Sequence, residues 1–171
     1  MLNVDWFQPF KHSVYSLSAL YMVLMNLPRS ERFKPQNVIL VGVIPGPHEP
    51  KLNINSYLQP LVAELNKLWT DGIIVKAHGS MELEVFHGAL LCVGCDVPAA
   101  RKVCGFMGHA SNKGCSKCTK IFSGFEPCPP RTNFELRQQA KEVINQTSAG
   151  DCFDTEQKYG TRYTELMSLP L

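Results

Sequence analysis

Two aspartates and one close pair of cysteines are the residues of this chain whose types and surroundings could do chemistry. Asp96 follows the apolar run Ala89 to Val93 in ALLCVGCDVPAARKVCGF, where a strand would end and a helix begin. Ligands and metals gather at the carboxyl ends of parallel strands in open α/β sheets, so an Asp there invites a functional reading. A plainer reading competes: Asp is a favoured N-cap, Val97 and Pro98 suit a first helical turn, and by itself the stretch favours the cap. Asp5 sits within LNVDWF, a strand candidate in which aspartate is out of place. Because an unpaired buried charge is very costly, that carboxylate must face solvent, find a donor or hold a cation. Cys115 and Cys118 form a CxxC pair, the spacing that lets two thiolates reach one tetrahedral zinc. Cys104, His109 and Cys128 lie near enough in sequence to complete four ligands, yet their spacings match no common finger. Redox chemistry fits less well, since it wants the pair at a helix N-terminus after a strand.

The elements that must position these residues follow from periodicity. Strands are predicted at Leu2 to Phe7, Val14 to Leu24 and Asn37 to Ile44, the last (NVILVGVI) ended by Pro45, Gly46 and Pro47. From Asn55, Ile54, Leu58, Leu61, Leu65, Leu68 and Trp69 recur at helical steps, with Asn53 or Asn55 available as cap and Gly72 as terminator. A short strand or hairpin beginning at Gly72 to Lys76, with a polar turn around His78 and Gly79, leads into the Asp96 stretch and a helix from Val97 to Cys104. Thr132 and Glu135 have capping-box spacing ahead of a polar helix to Gln146, with Phe134, Ala140, Val143 and Ile144 as its sparse apolar face. A turn at Gly150 and Asp151 and a last helix through Tyr159, Tyr163, Leu166 and Met167 complete the reading.

Three early strands, a helix and a later strand with a second carboxylate fit a ribonuclease H-like order, in which a parallel strand lies beside the first of an antiparallel trio. In such a sheet Asp5 and Asp96 could meet, and a divalent cation between them best explains two close carboxylates.

Composition narrows the classes. With 171 residues and 44% hydrophobic content the chain can build an ordinary core. A net charge of +2 is too mild to announce a nucleic-acid binder. Locally, however, Arg101, Lys102, Lys113, Lys117, Lys120 and Arg131 face only Glu126, an excess that could contact phosphates or be a solvated loop. Val14 to Leu27 is interrupted by Ser16, Ser18 and Asn26 and falls short of the roughly 20 residues of a membrane span. The N-terminus reads without a signal peptide, which predicts reduced thiols.

Four segments, NVDWFQPFKHS, NVILVGVIPGPHEPKLNINSYLQPLVAEL, LLCVGCDVPAARKVCGFMGHASNKGCSKC and YGTRYTELMSLP, together resemble the catalytic region of CACTA-type (EnSpm-like) DNA transposases, transposase family tnp2. The resemblance spans nearly the whole chain; its most specific parts are the Asp-centred first motif and DVPAA followed by GCSKC. It implies an α/β fold: a partial ribonuclease H-like (DDE transposase) core over residues 1–106, a Cys/His basic loop over 107–131 and a helical insert over 132–171. It also implies that Asp5 and Asp96 are the first two acids of a Mg²⁺ (or Mn²⁺) triad, which raises ligation above plain capping for Asp96. The third acid, a glutamate, lies well downstream in the family, so Glu135, Glu142, Glu156 and Glu165 are not assigned to it. Cys115 and Cys118 are implied to share Zn²⁺ with later histidines, and the implied partner is DNA, the transposon ends, which the local cations Arg101, Lys102, Lys113, Lys117 and Lys120 could contact. Further expectations are a nuclear location, an oligomer in the intact parent and a truncated, inactive fragment. A non-catalytic, transposase-derived module that binds zinc, nucleic acid or protein is the alternative.

Overall fold

The computed structural model describes residues 1–12, 14–50, 54–108, 110–122 and 128–170. They form a mixed α/β chain with two small sheets, in two compact units: Met1–Gly94 with Ser168–Leu171, and Cys95–Met167.

The first unit is built on an antiparallel sheet of order β1-β2-β3, with β1 at Leu2–Phe7, β2 at Leu17–Val23 and β3 at Val38–Ile44. Leu2 and Val4 alternate into the core, as a strand of period two requires, while Asp5 between them and Phe7 is exposed opposite Ala19. β2 pairs with β3 through an irregularity between Leu20 and Tyr21. The short helix α1 (Arg29–Arg32) and a 3-10 turn at Pro35–Asn37 connect them.

Helix α2 (Asn55–Thr70) buries Leu58, Val62 and Leu65, a stripe at steps of four and three. Two details differ from the sequence reading. Ile54 is the N-cap, with no capping side-chain bond, so Asn55 already lies inside the helix, and Asn53 is outside the described residues. Trp69 is 45% exposed and Val62 takes the core position, because the stripe drifts around the helix by the last turn. Gly72 adopts φ 72° just past the helix and donates its N–H to the Lys67 carbonyl at 3.1 Å, a left-handed termination that favours glycine.

β4 (Ile73–Lys76) pairs with β5 (Leu83–Phe86) as a separate two-stranded hairpin, every residue of it exposed. The apolar run Ala89 to Val93, expected as a strand, is reduced to a single parallel bridge between Val93 and Leu2. Register explains the difference: in parallel pairing the residues ahead of Val93 lie beyond the first residue of β1 and find no ladder. The bridge itself is well made. Leu2 N–H donates to the Cys92 carbonyl at 3.0 Å, Gly94 N–H to the Leu2 carbonyl at 2.8 Å, and the Asn3 side chain also donates to the Gly94 carbonyl.

In the second unit, α3 (Val97–Val103) buries Ala99 and Val103. The turn after it is stapled to residues 160–162: Arg162 N–H donates to the Gly105 carbonyl at 2.7 Å, Met107 N–H to the Gly160 carbonyl at 3.3 Å, and Phe106 bridges Thr161. Thr164 Oγ1, buried, donates to the Val103 carbonyl at 2.8 Å. Gly105 holds φ 77°, and a Cβ there would meet the Arg162 carbonyl oxygen at 2.4 Å. Gly105→Ala is therefore expected to cost about 2 kcal/mol or more, from left-handed strain plus the clash, read as a lowered midpoint in urea unfolding.

α4 (Asn133–Ile144) begins with the expected capping box between Thr132 and Glu135. Ala140 and Val143 face the core, whereas Phe134 and Ile144 are exposed. The turn expected at Gly150 and Asp151 is instead the first turn of α5 (Ala149–Tyr159), where the Ser148 hydroxyl accepts from Asp151 N–H at 3.0 Å. The cap offsets the low helix propensity of Gly150. The last expected helix is a 3-10 turn at Glu165–Ser168, too short for its apolar residues to form a helical stripe. Among the described residues no helix is long and apolar enough to cross a membrane.

Candidate functional site

The two carboxylates are placed by different local physics. Asp5 is carried by the sheet: it is exposed on β1, so of the three outcomes open to a strand aspartate the chain uses solvent. Asp96 is carried by a helix start. Its Oδ1 accepts the Ala99 N–H at 2.8 Å and Pro98 occupies the first turn, so the capping role read from sequence is realised. The cap fixes the Asp96 side chain on an exposed residue, and the side chain retains further acceptor capacity for a ligand.

The Cys-rich segment is organised by Arg131. Its Nε donates to the Cys115 carbonyl at 3.0 Å and the Cys118 carbonyl at 3.1 Å. Nη1 donates to Thr161 Oγ1 at 3.2 Å, and Nη2 to the carbonyls of Lys113 at 3.3 Å and Tyr159 at 2.9 Å. Burial lowers its pKa, and the Cys115 and Cys118 thiols act in the opposite sense. Arg131, read from sequence among the cations that could contact phosphates, is thus an internal tie to five acceptors. A fork of donors that can serve several carbonyls at once requires arginine, yet nothing in the bare sequence separates this arginine from its neighbours.

Cys115 and Cys118 are both half-buried, and Cys115 Sγ accepts the Lys117 N–H at 3.4 Å. These two residues fit half of a tetrahedral zinc site. Among the described residues no group of three or more His, Cys, Asp or Glu side chains could hold a metal ion, and His109 lies outside them. Cys128 is half-buried, and Cys118 bridges Pro130 through the backbone.

Of the other expected cations, Arg101 and Lys102 form the last turn of α3 and line a cavity of about 330 Å³. Lys113 Nζ donates to the Lys158 carbonyl at 2.7 Å, Lys117 is exposed and Lys120 is half-buried. Arg162, which sequence reading passed over, lines the same cavity and is oriented by Glu156 at 3.1 Å. Its signal was invisible because the partner elements are some sixty residues apart in the chain.

Cys104 is the half-buried residue at the C-cap of α3. Burial, and secondarily the nearby Cys95, push its thiol from 9.0 to about 11. Between those values the unfolded chain has lost the proton that the folded chain keeps, so stability is whole below pH 9 and declines as pH rises to 11. The expected loss is about 2 kcal/mol across that window. Chemical denaturation under reducing conditions at pH 8.5 and 10.5 should show this decline in the parent sequence and a smaller one in Cys104→Ala.

Residues 1–125 match the model of transposase family tnp2, and the chain belongs to that family. The matched span includes Asp5, Asp96, Cys115 and Cys118 and stops before α4. A comparison with curated proteins returns no match to this chain.

Proposed function

We propose that the chain is part of the catalytic core of a CACTA-type, DDE cut-and-paste DNA transposase with a ribonuclease H-like sheet, and that Asp5 and Asp96 are the first two of its three metal-binding acids. The observation that carries this reading is the match of residues 1–125 to transposase family tnp2, a span that contains both aspartates. Within its own unit each carboxylate is exposed and open to a ligand, Asp5 on β1 of the antiparallel trio and Asp96 at the start of α3.

Asp5 contributes a solvated carboxylate on a rigid strand, and Asp96 a carboxylate whose orientation is set by its bond to Ala99. Mg²⁺ or Mn²⁺ bound by them would activate a water or a DNA 3′-hydroxyl and stabilise the leaving oxygen during in-line attack on a phosphodiester. Arg101, Lys102, Lys113, Lys117 and Lys120 supply positive charge for the DNA backbone, and Cys115 with Cys118 supplies two thiolates towards a structural zinc. Two of three acids are assigned within the 171 residues, so the chain alone is expected not to cleave DNA, and the parent would act in the nucleus. Divalent-dependent cleavage of transposon ends by the parent protein, with and without Asp5 and Asp96, tests the reading.

A further inference from the structure

The cavity beside α3 has a composition that the two aspartates do not explain. Val97, Pro98 and Phe106 give it apolar walls, and Arg101, Lys102 and Arg162 bring positive charge to the same space. Glu156 offsets one of the three cations by pairing with Arg162. Arg101 Nε is buried without a hydrogen-bond partner among the described residues. A buried donor left unmet is expensive, and an anionic oxygen is the acceptor that a guanidinium takes best.

The walls are preformed. The staples from Gly105 and Met107 to residues 160–162, together with Phe106 N–H donating to the Arg101 carbonyl at 2.8 Å, hold both sides of the cavity in place. At about 330 Å³ it is at the small end of ligand sites, enough for one nucleotide and too narrow for a duplex. A free phosphate would satisfy the cations but leave the apolar walls wet. A ligand with a flat apolar ring and an attached phosphate satisfies both.

We infer that this cavity is a nucleotide subsite that takes one unpaired nucleotide of a DNA strand, its phosphate against Arg101 and Arg162 and its base against Phe106, Pro98 and Val97. This rests on the reading of the chain as a DNA transposase and adds to it a preference for single-stranded over duplex DNA at this place. Cations that hold a phosphate beside an aromatic on which a base stacks are the general means of holding single strands, and each stacked base strengthens binding about tenfold or more.

The test uses the whole 171-residue chain in buffer free of added Mg²⁺ and Mn²⁺, so that no carboxylate-bound metal contributes. Three probes are titrated: a short oligothymidylate with one 2-aminopurine, the same oligonucleotide in duplex, and 2-aminopurine deoxynucleoside monophosphate. The expected result is quenched fluorescence on the single strand. Val97→Glu, an exposed rim change that leaves the core intact, and Arg101→Gln should each weaken it tenfold or more, at least fivefold beyond any loss on duplex. Thermal melts of both variants establish that they fold. Single-strand affinity indifferent to both folded variants overturns the subsite and leaves the transposase reading standing. A monophosphate that binds as tightly as the strand overturns its assignment to DNA. Failure of all three probes to bind overturns the subsite, while cleavage by the parent protein decides the transposase reading separately.

Discussion

Asp96→Asn and Asp96→Ala are both expected to abolish divalent-dependent cleavage by the parent transposase, and only the alanine is expected to loosen the fold. Asn and Asp cap helices about equally well, so Asp96→Asn keeps a side-chain oxygen for the Ala99 N–H and loses only the charge that a cation needs. Asp96→Ala gives up the cap as well, at about 1 kcal/mol. Cleavage should fall about a thousandfold in both, the equivalent of several kcal/mol of lost transition-state stabilisation. Asp5→Asn is the matching control. Asp5 is exposed on β1, so its exchange should alter stability by less than about 0.5 kcal/mol while removing activity to the same degree. Supercoiled-plasmid nicking in Mg²⁺ and in Mn²⁺, alongside thermal melts, reads both effects. Undiminished nicking by Asp96→Asn would mean that the residue is a cap and nothing more.

The second large effect belongs to Arg131. Replacement by methionine keeps much of the side-chain volume but strands the carbonyls of Lys113, Cys115, Cys118 and Tyr159 and the hydroxyl of Thr161. Hydrogen bonds to a charged donor contribute more than neutral ones, and the freed acceptors lie partly out of water. A loss of about 3 kcal/mol is expected, a large share of the stability of any small domain. Arg131→Lys should recover little of it, because one ammonium cannot reach the five acceptors of a planar fork. The measurement is denaturant unfolding followed with Tyr159 and Tyr163 fluorescence, paired with hydrogen exchange at residues 113–118. If Arg131→Met unfolds at the same denaturant concentration as the parent sequence, the tie is ornamental.

Local signals carried well where one residue decides an outcome. The Thr132–Glu135 box, the termination at Gly72 and the strand from Leu2 to Phe7 were readable because capping, left-handed φ and a short apolar run are properties of a few adjacent residues. The helix at Val97 was readable from Asp96 and Pro98 for the same reason. Pairing was less legible. VILVGVI and ALLCV are both apolar runs, yet the first finds β2 along its length and the second meets only Leu2, since a ladder depends on what the partner offers. The hairpin read as an alternative to a lone strand after α2 is the one formed, with β5 as its exposed second arm. At the candidate site the acids and the CxxC pair came from sequence and family resemblance. Arg131 and Arg162 did not, because their roles arise from chain crossings that no spacing encodes.

The bridge from Leu2 to Val93 also sets a timetable for the newborn chain. Its flanking bond, Asn3 to Gly94, joins residues 91 apart, so closing this edge of the sheet draws together the first and last segments of the unit. Such a loop costs about 4 kcal/mol in chain entropy if nothing between is ordered, far less once β2, β3 and α2 have formed. On the ribosome the first strand therefore emerges with one side unmatched, and at translation speeds of 5–20 residues per second it waits roughly 5–20 s for Val93 to be made. Asp5, in the middle of that strand, helps to keep the waiting edge hydrated and discourages it from pairing with a neighbouring nascent chain.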